Sequence, residues 1–136
     1  MRCLAYSGRR PQEIIVVSNE FMDLAVGLRE AAIWHEWGHV HFDHARRYDF
    51  ESQGGLRSAR VDAIQNGRIV EWEAEADAFS VARVGPEVFI SFLAHVLDKR
   101  PTGAPTGLNE LGRTELELRI EATRLYPATS GQGRSR

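Results

Sequence analysis

Leu24 to Arg46 reads LAVGLREAAIWHEWGHVHFDHAR, and the layout of this stretch decides the fold. With His35 set at 0° on an α-helix, Leu24, Leu28, Ala31, Ala32, His39 and Phe42 fall within about 60° of it. Ile33, Val40, Trp34 and Trp37 take the other sides. The pattern predicts one helix from Asp23 or Leu24 to near Arg46. Being apolar nearly all round, it should be central and buried. Gly38 costs such a helix about 1 kcal/mol against Ala, and a close backbone neighbour would explain it.

The same helix carries His35-Glu36-Trp37-Gly38-His39. Histidines four apart lie about 40° from each other, one turn removed, so both rings can meet one cation. Glu36 stands about 100° round from His35. It borders the cation without being forced to bind it, which suits a general base. An H-E-x-x-H sequence on a helix points to zinc-assisted hydrolysis. Such a site needs a third protein ligand and one open position. His41 and His44 lie about 240° and 180° from His35 and point away if the helix stays regular. Asp43 is on the correct side but one turn past His39. The extended pattern H-E-x-x-H-x-x-G-x-x-H is excluded by Phe42 and Ala45.

A second helix, from about Ile69 to Val84, offers a better ligand. With Trp72 at 0°, Trp72, Phe79, Val70, Val81, Val84 and Ala76 span about −20° to 180°. Glu73 falls at about 100°, inside that buried arc, and Asp77 at about 140°, while Glu71 and Glu75 fall near 260° and 300° and read as solvated surface charge. A buried carboxylate needs a cation or a donor, and a metal ion held by His35 and His39 supplies one to Glu73. Ala74, Ala76 and Ala78 keep this helix slim enough to approach Gly38.

Two β-prone runs, Cys3 to Ser7 and Glu13 to Ser18, flank a turn at Gly8 to Pro11. Asp49 to Arg68 reads as a polar loop with a short helical piece near Ala59 to Gln65. A third helix is expected from Pro86 to Asp98 or Lys99, then a loop from Arg100 to Gly107. A fourth runs from about Asn109 to Leu125 and stops at Tyr126-Pro127. Residues 128–136 read as a disordered tail. The expected fold is α+β: a small N-terminal β-hairpin or sheet packed on about four helices, as one domain over residues 1–127. The chain has 136 residues, 43% hydrophobic and 26% charged, with a formal net charge of −2. That length suits a single domain, and that charge argues against a nucleic-acid partner. No run of about 18 apolar residues suggests a membrane span. A lone cysteine, Cys3, and an N-terminus without an apolar signal core fit a cytoplasmic setting. Trp34, Trp37 and Trp72 read as core aromatics.

Two motifs in order, His35 to His39 and Glu73-Ala74-Glu75-Ala76-Asp77-Ala78-Phe79-Ser80, resemble those of gluzincin zinc metallopeptidases. The resemblance covers about Glu13 to Val84. In the ImmA/IrrE-type peptidases the second motif looks like E-x-x-A-N-x-F-A. In the HtpX and CAAX-prenyl-protease group it looks like E-x-x-A-D. Asp77 is similar to the second, as is the H-E-x-G-H-x-x-x-x-H form completed by His44. Small size and the β-prone lead-in are similar to the first. The resemblance implies a zincin-like fold, Zn2+ held by His35, His39 and Glu73, and Glu36 as general base. It implies that Asp77 hydrogen-bonds a ligand histidine and fixes its ring. It places the strand Glu13 to Ser18 along the cleft, free to pair with an extended peptide.

The activity so implied is a zinc-dependent endopeptidase acting on a protein or peptide substrate. In ImmA/IrrE-type systems that substrate is a repressor. Gluzincins commonly stabilise the oxyanion with a Tyr, His or Arg from downstream of the third ligand. His95, Tyr126, Tyr48 and Arg119 all stand open for that role. The alternative from another class is a zinc-stabilised protein-binding module with little or no catalysis. Glu36 argues against it, because metal ligation does not need that carboxylate.

Overall fold

The computed structural model describes residues 5–7, 15–47, 55–100 and 108–134. Cys3, Tyr48, the turn expected at Gly8 to Pro11 and most of the loop expected from Arg100 to Gly107 lie outside the described residues. The helices are α1 (Asn19–Met22), α2 (Val26–His41), α3 (His44–Arg47), α4 (Gly55–Gln65), α5 (Glu71–Val84), α6 (Pro86–Lys99) and α7 (Leu108–Arg134). The fold is helical, and this overturns the expected α+β class with its N-terminal sheet and about four helices. β1 (Ala5–Ser7) and β2 (Ile15–Val17) have three residues each and pair antiparallel, with Ala5 opposite Val17. Two strands of that length form only a hairpin resting on α2, not a layer of their own, so the helices set the fold class. The β-branched run Ile14 to Val17 has strand propensity, but propensity measures fit to a pleated surface that neighbours must supply.

The helix expected as one piece from Asp23 to Arg46 is interrupted. α1 is capped by Ser18, whose Oγ accepts the Phe21 amide at 3.2 Å. α2 begins at Val26 and ends at His41. Asp43 has φ 56°, a left-handed step that few non-glycine residues take, and α3 restarts beyond it. Nor is α2 buried all round. Ala31, Ala32, His35 and Gly38 are buried, whereas Val26 and Trp37 are 60% and 40% exposed. Trp37 is therefore no core aromatic, unlike Trp72 at 5%.

The main core joins five helices, with Phe21 supplied by α1. Ala31 and Ala32 of α2, Val81 of α5, Phe89, Phe92 and Leu93 of α6, and Leu116 and Ile120 of α7 form one cluster with Phe21 and Leu24. A smaller cluster of Ala63, Val70 and Trp72 sits beneath α4. Gly85 (φ 91°) separates α5 from α6, and Pro86 opens α6 with its ring at a position that needs no amide donor. The backbone of α7 runs through Tyr126-Pro127 to Arg134, past the expected stop and into the expected tail. A proline inside a helix removes one amide donor, which made that stop a reasonable reading. The helix already has five turns of packed chain before it.

α2 and α5 meet at Gly38. A Cβ there would stand 3.0 Å from both Ala76 Cα and Phe79 Cβ. The first of these is backbone and cannot swing aside. Ser80 Oγ donates to the Ala31 carbonyl at 2.8 Å, a buried bond that pins the same pair of helices. A Gly38→Ala protein is expected to gain helix propensity and still lose about 1–3 kcal/mol of stability to overpacking. Chemical denaturation would read the difference, and a stabilised variant would contradict the close approach.

Candidate metal centre

The α2–α5 contact sets two histidines of one helix against a carboxylate of the other. His35 is buried, and its Nε2 lies 3.1 Å from Glu73 Oε1 and 3.2 Å from His39 Nε2. His39 Nε2 lies 3.8 Å from Glu73 Oε2. One ligand atom from each of the three falls within 4.8 Å of the others, and this group can hold a metal ion. A tetrahedral ion with bonds of about 2.0–2.2 Å holds its ligand atoms about 3.3–3.5 Å apart. The observed spacings lie on either side of that range. Two imidazole nitrogens and one carboxylate oxygen form a donor set open to a divalent cation. Phe89, fully buried, stacks beneath the His35 ring at 6.4 Å between centroids.

Asp77 is where the second motif led. Its Oδ1 lies 2.8 Å from His35 Nδ1, on the side of the ring away from Glu73. Arg119 of α7 grips the same carboxylate with two bonds, Nε to Oδ2 at 2.7 Å and Nη2 to Oδ1 at 2.8 Å. Asp77 thus contacts a candidate ligand and pairs with an arginine at once. Arg119, buried and occupied in this pair, is not placed to stabilise an oxyanion. Tyr126 packs against the apolar core, and His95 is half-buried on α6.

Burial alone would lower the His35 pKa, but hydrogen bonds to Asp77 and Glu73 and their charges push it up to about 10. Burial, then the charge of His35, lower His39 to about 4. Burial would raise Glu73, but the His35 hydrogen bond and charge, with help from Arg119, hold it well below the usual carboxylate range. Burial would raise Asp77 too, and the Arg119 charge and the His35 bond hold it down. Glu36 goes the other way: burial pushes it up to about 7, with Glu73 adding and His35 and Arg119 opposing. A cation and a proton compete for His35 Nε2. Below about pH 10 the protonated ring predominates, so raising the pH frees the ligand. Metal affinity is therefore expected to rise with pH by up to about tenfold per unit for each proton released. Titration calorimetry in buffers of different ionisation enthalpy would count that proton, and a pH-independent affinity would contradict it.

Several charged groups here escaped the sequence reading. Arg60 of α4 reaches Glu73 Oε2 at 3.7 Å and is paired with Glu115 of α7, with Nε to Oε2 at 3.0 Å and a second bond from Nη2 to Oε1. Its helix contains the short helical piece expected near Ala59 to Gln65 and starts earlier, at Gly55. Glu115 and Arg119 were legible in principle. They share a helical face with Leu116, Ile120 and Thr123, and all five are buried. Two opposite charges four apart on a buried face announce partners elsewhere. His44, expected to point away from His35, is buried and contacts both His39 and Glu75, and Glu75, expected as solvated charge, has a side chain only 30% exposed.

Comparison with protein-family models, with curated proteins and with solved structures finds no match to this chain. Among the described residues, no helix is long and apolar enough to cross a membrane.

Proposed function

We propose that this protein is a zinc-dependent peptidase of gluzincin type. The observation that carries this reading is the convergence of His35, His39 and Glu73 from two packed helices, with Glu36 one residue from a ligand. A zinc ion bound there would polarise the scissile carbonyl and acidify a water. His35 and His39 would each offer Nε2, and Glu73 its carboxylate. Asp77, anchored by Arg119, fixes the His35 ring from behind. Glu36 takes a proton at its carboxylate and returns it to the leaving amine. In the metal-free site burial already raises its pKa to about 7. Among the described residues, Arg60 is a cation beside Glu73 that is about a third exposed, and a substrate's negative charge would compete with Glu115 for it. An unstructured protein segment is the substrate class that fits, and a repressor is one such partner on the family resemblance.

The test is direct. Zinc-loaded protein is incubated with a library of unstructured peptides, and new termini are read by mass spectrometry. Cleavage that stops with a chelator and returns with zinc is expected. No metal-dependent cleavage of any peptide would contradict the reading.

A further inference from the structure

His44 has no place in the site as the sequence draws it. On a regular helix it would face away from His35. The left-handed step at Asp43 changes that, for it ends α2 and turns α3 back toward α5. His44 becomes 2% exposed and meets the far side of the His39 ring. His39 Nδ1 and His44 Nδ1 are 2.8 Å apart, and His44 Nε2 and Glu75 Oε1 are 2.7 Å apart. Arg47 Nη1 donates to the same Glu75 oxygen at 3.2 Å.

Proton counting fixes the direction of this chain. His39 turns Nε2 toward His35 and Glu73, so as a neutral ligand it carries its proton on Nδ1. That N–H donates to His44 Nδ1. His44 is then protonated on Nε2, which donates to the Glu75 carboxylate. Every polar atom along the line has a defined role. The His35 side repeats the plan with one member fewer, since its Nδ1 faces Asp77 and Asp77 is held by Arg119. Both candidate ligands are thus backed by a carboxylate that an arginine clamps. A ligating histidine is commonly oriented by a partner on its other nitrogen.

We propose that His44 and Glu75 are positioning residues for His39, their relay holding its ring in the tautomer and orientation that presents Nε2 to a cation. The proposal rests on the metal-site reading above. Losing such a partner typically weakens metal binding about 10- to 100-fold.

The experiment compares wild type with His44→Phe, His44→Asn and Glu75→Gln. Zinc affinity is measured by competition with a chromophoric chelator. The imidazole tautomers of the zinc-loaded proteins are read by long-range 1H–15N NMR. His44→Phe keeps an aromatic ring next to Phe42, on which His44 stacks at 5.6 Å, and removes the acceptor. It is expected to weaken zinc binding about 10- to 100-fold and to alter the His39 Nδ1–H signal. His44→Asn places a carbonyl oxygen near the lost Nδ1 and should restore part of the affinity. Glu75→Gln should weaken binding in the same sense. Its side chain is 30% exposed, so this variant decides the matter should His44→Phe fail to fold. Unchanged affinity and an unchanged His39 signal in the folded variants, with zinc bound by wild type, would overturn the relay and leave the metal site standing. A wild-type protein that binds no zinc would overturn the site and the relay together.

Discussion

Replacing Glu36 by Gln is expected to leave zinc uptake nearly unchanged and to slow peptide hydrolysis by about 10²- to 10⁴-fold. Glutamine preserves size and hydrogen bonding but cannot accept the proton that hydrolysis liberates. Glu36 is not one of the three converging groups, so its replacement removes no ligand. Its pKa near 7 is a product of burial, and the neutral amide tolerates the same surroundings. The measurement pairs zinc content with the rate of cleavage of any peptide the wild type accepts. Full activity in the Gln variant would remove Glu36 from the chemistry. Full biological effect without cleavage would favour a zinc-stabilised binding module.

Replacing Glu73 by Ala is expected to cost at least about 100-fold in zinc affinity, because a three-ligand site becomes a two-histidine site. The effect should exceed that of changing Asp77 or His44, which act through the rings. The change also takes from His35 its 3.1 Å partner and from Arg60 a 3.7 Å neighbour. Metal-free stability should therefore fall as well, since breaking a buried ion pair leaves its partner uncompensated. Chelator competition gives the affinity, and denaturation in excess chelator gives the stability. An Ala variant that holds zinc as tightly as wild type would exclude Glu73 as a ligand.

What could be read from the chain was mostly local and periodic. His35 and His39 share a face because of helical spacing alone. Glu73 was separable from Glu71 by which arc of α5 carries the large apolar side chains. Gly38 marked the closest approach of α2 and α5 because a glycine inside a buried helix needs a reason, and Ala76 supplies it at 3.0 Å. Gly85-Pro86 divided α5 from α6 through the opposite backbone preferences of its two residues.

The unread part depended on single backbone steps and on chain distant in sequence. One left-handed residue, Asp43, decides whether His44 faces solvent or His39, and helical spacing is silent about it. Glu75 read as surface charge because it lies opposite the apolar arc of α5, and the partners that reach it, His44 and Arg47, come from beyond the break in α2. The two β-prone runs do pair beside α2, but the fold class was misjudged because propensity does not reveal that each strand is only three residues long. Arg60 lay on an expected helical piece, but its partners Glu73 and Glu115 belong to other helices and local spacing could not name them.

On the proposed reading, His35, His39 and Glu73 hold one divalent ion. Anomalous diffraction from crystals of the zinc-loaded protein, recorded on both sides of the zinc edge, locates it. One strong peak is expected about 2.0–2.2 Å from His35 Nε2, His39 Nε2 and a Glu73 oxygen. A loaded crystal with no peak among these three side chains, or with its zinc bound elsewhere, would contradict it.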